Sequence, residues 1–170
     1  MENITNLGDF VFEGCINLEG TLNLSNVVGN TSVNALNNNQ QCSGAGIFKD
    51  CQKVAKIVLG SLPNIEVPAD RTPFRNNYLL KVVDITSLDH ITVANGRSLF
   101  TNCPQLHSFI LRSQTVIPLY APDNDTSTFA IDRISGNNTT IKIYVPDALV
   151  NDYKASSKWT DISSYIYPLS

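Results

Sequence analysis

A period of 26 residues runs through the middle of the chain and constrains its fold more than any other feature of the sequence. Phenylalanine recurs at Phe48, Phe74 and Phe100, and six further columns of apolar, cysteine or asparagine residues recur at the same step between residues 51 and 119. Such a repeat is typical of chains whose units stack on one another, because one unit cannot bury its apolar face alone. We therefore expect equivalent side chains to lie in rows along a continuous interior.

Within each unit, apolar and polar residues alternate over two short stretches, as in residues 57–59 and 65–67. Alternation with period two predicts two short β-strands per unit, each with one face inward. An imperfect earlier unit begins at Phe12, where one extra residue near Gly20 suggests a β-bulge. A late unit begins at Phe129, which gives about five coils in all.

The pattern changes to helical spacing after Pro146. Asp147 can cap the N-terminus of a helix whose apolar residues Leu149, Val150 and Tyr153 share one side. We expect this helix to form a lid over the last coil, because a terminal coil otherwise exposes apolar side chains and unpaired strand groups. Four further residues belong to the predicted lid: Trp159, Ile162, Tyr165 and Ile166.

The composition favours strands and turns, since the chain has 19 Asn and 28 Ile plus Val but only 4 Glu. The net charge of −3 implies no basic face for nucleic acid. No apolar stretch approaches the roughly 20 residues of a membrane span, and residues 1–6 show no signal-peptide pattern. The sequence predicts a mainly β protein with short helices, forming one domain over residues 1–170, with no nucleic-acid partner and no membrane insertion.

The repeating unit Phe-x-x-Cys-x-x-Leu-x-x-Ile-x-Leu, seen in residues 48–59 and 100–111, resembles the BspA-like leucine-rich repeats of bacterial surface proteins. Residues 143–154, Ile-Tyr-Val-Pro-Asp-Ala-Leu-Val-Asn-Asp-Tyr-Lys, with Trp159, are similar to the segment that often follows these repeats, including in proteins of gut bacteria and their phages. The resemblance implies a right-handed leucine-rich-repeat solenoid with parallel sheets, with repeats over about 3–146 and a C-terminal helical cap over 147–170. It also implies adhesion or protein recognition, and it supplies no catalytic residues.

One column of the repeat holds Cys15, Cys51 and Cys103, with Asn77 in place of cysteine. A small, partly polar side chain there would face backbone groups in the turn before the strand, so we interpret these residues as structural. Cys103 and His107 are the one pair that could act as nucleophile and base, but their columns predict that they diverge. Cys42, in a predicted loop over residues 29–46, has no structural role in the repeat.

Asp123 and Asp125 superficially resemble a calcium loop but lack its turn glycine and its bidentate glutamate. No phosphate-binding loop, nucleophile elbow or zinc spacing is present in the sequence. The sequence therefore predicts no enzyme, no catalytic residues, no metal site and no cofactor.

The first strand of each coil predicts an open surface, because the residues between the buried columns point outward. A partly apolar strip edged by charges is the composition of a recognition patch, although single apolar residues exposed on strands are the alternative interpretation. The predicted binding residues are Val58, Val82, Asp84, Ile110, Arg112, Lys142 and Tyr144, with Lys56 at the edge.

No capping helix precedes the first unit, since Ile4, Leu7 and Phe10 follow the start of the chain almost at once. We expect another subunit or a partner to cover this edge, which allows a homo-oligomer. The sequence thus predicts a non-enzymatic adhesion or recognition module that binds protein or surface glycan. The alternative is a structural or decoration protein of a phage virion. Either would act outside the cell, on a bacterial surface or a phage particle, with no signal peptide visible in the chain.

Overall fold

The computed structural model describes residues 12–26, 47–67, 72–94, 98–120 and 140–170. The predictions for the N-terminal edge, for the loop over residues 29–46 with Cys42, for Asp123 and Asp125, and for Phe129 lie outside these ranges. The described strands are β1 (Glu19–Leu24), β2 (Lys53–Val67), β3 (Val82–Val93), β4 (Ser108–Leu111), β5 (Leu119–Tyr120), β6 (Lys142–Val145) and β7 (Ile166–Pro168). Helix α1 (Val150–Ala155) lies between two 3₁₀ helices, Asp147–Leu149 and Thr160–Tyr165.

All seven described strands belong to one sheet, in the order β1-β2-β3-β4-β6-β7, with β5 paired to β3. Every pairing in it is parallel. Parallel neighbours need a long return connection, and the repeat supplies one in each unit. The prediction of a mainly β protein with a parallel sheet and short helices is confirmed.

The 26-residue period sets the register of the central strands. Ile57 lies opposite Val83, and Val83 lies opposite Phe109, so three columns of the sequence become neighbours across three strands. The register of β1 against β2 shifts between Gly20 and Thr21, which confirms the predicted bulge. Gly20 has a φ of +74°, a conformation that residues with a side chain rarely adopt.

The phenylalanine column forms a single row of rings. Successive ring centroids are 5.7 Å apart for Phe12 and Phe48, 5.4 Å for Phe48 and Phe74, and 5.0 Å for Phe74 and Phe100. The last three rings are completely buried. Rows of equivalent side chains, predicted from the period, therefore form the interior, and the contact area of these rings contributes heavily to its stability.

The prediction of two short strands per unit is wrong for the second and third units, where β2 and β3 each run through both stretches. Their pairing continues from Lys56 opposite Val82 to Val67 opposite Val93, because the two units have equal lengths and the ladder is not interrupted. In β3 both Ile85 and Leu88 are buried. That three-residue interval breaks the strict alternation, so the strand turns its inward face partway along.

The next unit keeps two separate strands, β4 and β5, and departs from the period. Leu119, expected beside Val93, lies opposite Ile91, so the step there is 28 residues and not 26. Before β5, the Ser113 hydroxyl accepts a hydrogen bond from the Leu88 N–H at 2.8 Å and donates to the Leu88 carbonyl at 3.2 Å, in place of a strand ladder. A shift of two residues preserves the inward face, so both Ile117 and Leu119 stay buried.

The segment after β6 combines predicted and unexpected features. Asp147 begins the first 3₁₀ helix and does not cap it, since Pro146 occupies the capping position and no side chain caps this end. Tyr153, Trp159 and Ile162 are buried as expected. Ile166 differs from the prediction, because it begins β7, which pairs with β6 and extends the sheet by one strand.

Two side chains of this segment satisfy the backbone of Ile117. Its N–H donates to the Tyr153 hydroxyl at 3.1 Å, and its carbonyl accepts the Trp159 Nε1–H at 2.6 Å. Burial raises the pKa of Tyr153 to about 12, so this hydroxyl stays protonated at neutral pH. The two aromatic residues thus take the part of a neighbouring strand, which explains why polar-tipped rings are buried here.

Candidate functional site

The face of the sheet turned away from the interior consists of two rows of side chains, which we call the outer face. The first row contains Thr21, Lys56, Val82, Ser108 and Lys142, which the strand register places side by side. The second row contains Asn23, Val58, Asp84, Ile110, Tyr144 and Tyr167. Six of the seven predicted binding residues lie in these rows, and Arg112 directly follows β4.

The predicted residues differ in how far solvent reaches them. Lys142 and Arg112 are exposed, whereas the apolar strip of Val58, Val82, Ile110 and Tyr144 is half-buried. Asp84, predicted to edge this patch, is only 6% exposed. Sequence pattern gives the direction of a side chain but not the neighbours that cover it, and a residue on the next strand covers this one.

That neighbour is Arg112, which binds Asp84 with two hydrogen bonds, Nε to Oδ1 at 2.7 Å and Nη2 to Oδ2 at 3.1 Å. Lys56 Nζ lies 3.8 Å from Oδ2 on the other side. The hydrogen bond to Asp84 raises the pKa of Arg112 above its ordinary 12.5. The carboxylate therefore has two cationic partners within the chain, in the bidentate geometry that fixes an arginine most firmly.

An aromatic pair lies at the β6–β7 end of the outer face. The ring centroids of Tyr144 and Tyr167 are 6.1 Å apart with the rings inclined at 45°. The ammonium of Lys142 lies 5.0 Å from the centre of the Tyr167 ring, which is a cation–π contact. This end thus combines two partly exposed rings with a positive charge.

Sequence reasoning missed Tyr167. The signal was present, because Ile166-Tyr167 repeats Ile143-Tyr144, and the structure pairs these dipeptides position by position across β6 and β7. The step of 23 residues lies outside the 26-residue period, so a search at a fixed period passes over it.

The cysteine and asparagine column faces the interior, as predicted. Each of its last three members donates a hydrogen bond to the carbonyl of a phenylalanine in the preceding unit. The donor–acceptor distances are 2.8 Å for Cys51 to Phe12, 2.8 Å for Asn77 to Phe48 and 2.7 Å for Cys103 to Phe74. Asparagine can replace cysteine in this column because both supply a short donor to the same acceptor.

The buried thiols have the wrong chemistry for nucleophiles. Burial raises the pKa of Cys51 and of Cys103 to about 12, whereas a reactive cysteine is a thiolate near neutral pH. His107 is exposed, and its Nδ1 lies 2.8 Å from the Ser108 hydroxyl. Because Cys103 donates to the Phe74 carbonyl, thiol and imidazole face different partners, as their columns predicted.

A second missed column explains part of the asparagine content. Gly14, Asp50, Asn76 and Asn102 all have left-handed backbones, with φ of 68°, 63°, 61° and 56°. Asn76 Nδ2 donates to Asp50 Oδ1 at 2.7 Å, and Asn102 Nδ2 donates to Asn76 Oδ1 at 2.9 Å. Gly, Asn and Asp tolerate this conformation best, so their recurrence one residue before the cysteine column was the available signal.

An open groove of about 460 Å³ lies away from the outer face, between the residues around β5 and those that follow α1. Its lining residues are Val116, Pro118, Leu119, Tyr120, Ser156, Ser157 and Lys158. Within the described ranges, His, Cys, Asp and Glu side chains form no group of three or more that could hold a metal ion. None of the helices in the described part of the chain is long and apolar enough to cross a membrane.

Comparison of the chain with protein-family models, with curated proteins and with solved structures finds no match. The function therefore has to be argued from the geometry of this molecule.

Proposed function

We propose that the chain is a leucine-rich-repeat module of the BspA-like kind, a right-handed solenoid of about five coils closed by a C-terminal helical cap. The row of phenylalanine rings and the side-chain hydrogen bonds from each unit to the preceding one support stacked coils. The hydrogen bonds of Tyr153 and Trp159 to the backbone of Ile117 support a cap, because they satisfy polar groups that a further coil would otherwise pair.

We propose further that this module recognises a protein or a surface glycan through its outer face, without catalysis. The observation that carries the proposal is the contrast between positions on the same strands. Inward positions repeat one chemical type, whereas the second outer row places polar Asn23, apolar Val58, charged Asp84 and aromatic Tyr144 in equivalent places. Packing does not require this variety, so a surface selected for binding explains it better.

The proposed site of action is the surface of a bacterial cell or of a phage particle. The experiment is a binding assay with fluorescently labelled protein on a panel of intact bacterial cells and purified phage particles. The variant Ile110→Asp/Tyr144→Asp places two carboxylates in the half-buried strip, and we expect it to lose binding. The matched control is Tyr78→Asp/Leu79→Asp, which changes two residues that are 44% and 42% exposed and lie outside the outer face.

Circular dichroism and thermal unfolding establish that each variant folds. If the folded outer-face variant binds as tightly as the unmodified protein, the proposed face is wrong. If the unmodified protein binds no cell and no particle, the proposed surface recognition is wrong.

A further inference from the structure

The charge of the outer face is opposite in sign to that of the protein. The chain has a net charge of −3. The two outer rows together with Arg112 contain three cations, Lys56, Lys142 and Arg112, and one carboxylate, Asp84, so this surface has a charge of three minus one, or +2. A positive surface on an acidic protein favours an anionic partner and disfavours association with the remaining surface of the same sign as that partner.

The carboxylate on this face is already satisfied. Asp84 is 6% exposed and accepts two hydrogen bonds from Arg112, so it is not available to a ligand. Lys142 differs, since its contact is with the ring of Tyr167, and a ring has no net charge that could neutralise an ammonium. The unneutralised positive charge therefore concentrates at the β6–β7 end of the face.

The same end has the most continuous apolar surface of the outer face. Ile110, Tyr144 and Tyr167 lie at equivalent positions on the adjacent strands β4, β6 and β7. At a strand spacing of about 4.8 Å, their row is about 10 Å long. Lys142 lies in the neighbouring row, so a cation borders this apolar row along its length.

We propose that this end of the outer face binds an acidic polypeptide segment in which aromatic or aliphatic side chains lie between carboxylates. The inference rests on the proposed recognition function and narrows its partner. A polypeptide fits better than an anionic glycan for two reasons. The two tyrosine rings are inclined at 45° and offer no common plane for stacking a sugar ring, and a uniform polyanion supplies no apolar group for the Ile110 row.

The test uses the whole chain and three probes: a random copolymer of glutamate and tyrosine, poly-L-glutamate, and heparin. Fluorescence anisotropy of the labelled protein measures each affinity at low and at high salt. We expect the copolymer to bind more tightly than poly-L-glutamate, and its affinity to fall as salt screens the charges. Lys142→Glu and Tyr167→Ser should each weaken copolymer binding by about tenfold, which corresponds to one lost specific contact.

The matched control is Lys154→Glu, which makes the same change in net charge at an exposed position on α1, outside the sheet. Its affinity should stay within about twofold of that of the unmodified protein. Equal losses for Lys154→Glu and Lys142→Glu would show unspecific attraction and overturn the inference. So would equal affinities for the copolymer and poly-L-glutamate, or no copolymer binding at all.

Heparin separates this inference from the function on which it rests. If heparin binds with the Lys142 and Tyr167 dependence while the copolymer does not, the acidic-polypeptide inference fails and recognition by the outer face stands. If the cell and phage assay shows no role for Ile110 and Tyr144, the proposed function fails whatever the copolymer does.

Discussion

The two sides of the same strands differ in how faithfully neighbouring units repeat. On the inner side, Ile57, Val83, Phe109 and Ile143 occupy equivalent positions and all are completely buried apolar residues. One residue further along each strand, the outer side has Val58, Asp84, Ile110 and Tyr144, which share no chemical type.

This difference shows which positions the fold determines. An inward side chain must fill the same space in every unit, so packing restricts it to similar shapes. An outward side chain meets solvent and its row neighbours, so packing leaves its identity open. Substitutions on the two sides should therefore separate stability from binding, and four experiments test that separation.

The largest effect is expected for Phe74→Ala on the inner side. The Phe74 ring contacts the rings of Phe48 and Phe100 and is completely buried, so its removal leaves a cavity inside the row. We expect the free energy of unfolding in urea to fall by about 3–5 kcal/mol. Tyr78→Ala, at a position 44% exposed, is the control and should change it by less than about 0.5 kcal/mol. A loss below about 1 kcal/mol for Phe74→Ala would contradict a row that stabilises the interior.

A smaller loss is expected for Tyr153→Phe, which tests whether the inner side depends on its polar contacts as well as on shape. The variant keeps the buried ring but leaves the Ile117 N–H without the hydroxyl that accepts its hydrogen bond. We expect a loss of about 1–3 kcal/mol in urea unfolding. Tyr167→Phe removes a hydroxyl from the outer side and should cost almost nothing; equal losses in both variants would contradict the proposed contact at Ile117.

Raising the pH should destabilise the inner side. Cys103 ionises near its ordinary 9.0 in the unfolded chain but only at about 12 in the folded protein. Above pH 9 the unfolded state therefore holds fewer protons, so stability is complete below that value and declines as the pH rises towards 12. Each such group contributes a slope of up to about 1.4 kcal/mol per pH unit. Urea unfolding of Cys103→Ser between about pH 9 and pH 11 should show a shallower decline than the unmodified protein; parallel declines would exclude this thiol as a cause.

The smallest effect is expected for Asn77→Cys, which makes the polar column uniform. Asn77 Nδ2 donates to the Phe48 carbonyl, and a thiol at this position would donate to the same acceptor, as Cys103 does one unit later. The side-chain oxygen of Asn77 is buried and has no hydrogen-bond partner among the described residues, so its removal offsets the exchange. We expect a change in the free energy of unfolding within about 1 kcal/mol. Asn77→Ala lacks a donor and should be less stable than Asn77→Cys; the reverse order would contradict the column.

Much of the fold follows from the sequence because the period is visible in the letters. The Phe48 row, the inward cysteine column and the bulge at Gly20 were predictable, since each depends on a side chain meeting its own equivalent in the next unit. The join of the two stretches within β2 and β3 was not predictable. It depends on two neighbouring units having equal lengths, which is a property of a pair of strands and not of either alone.

The candidate site was predictable only in part. The direction of Val58, Ile110 and Tyr144 follows from alternation, but the burial of Asp84 beneath Arg112 depends on a contact between two strands. The shift of Leu119 to a position opposite Ile91 has a similar origin, because Ser113 replaces the ladder locally.

The sequence by itself determined which side chains recur, and through them the parallel sheet and its repeating interior, because identical units packed side by side bury identical faces. The tertiary structure alone decided how the chain ends. Ile166 and Tyr167 repeat a dipeptide at the wrong interval for the period, and they reach the sheet only because the residues between β6 and β7 fold back over it. The aromatic pair of Tyr144 and Tyr167 exists because of that return, since two residues 23 positions apart become neighbours only when β7 hydrogen-bonds to β6.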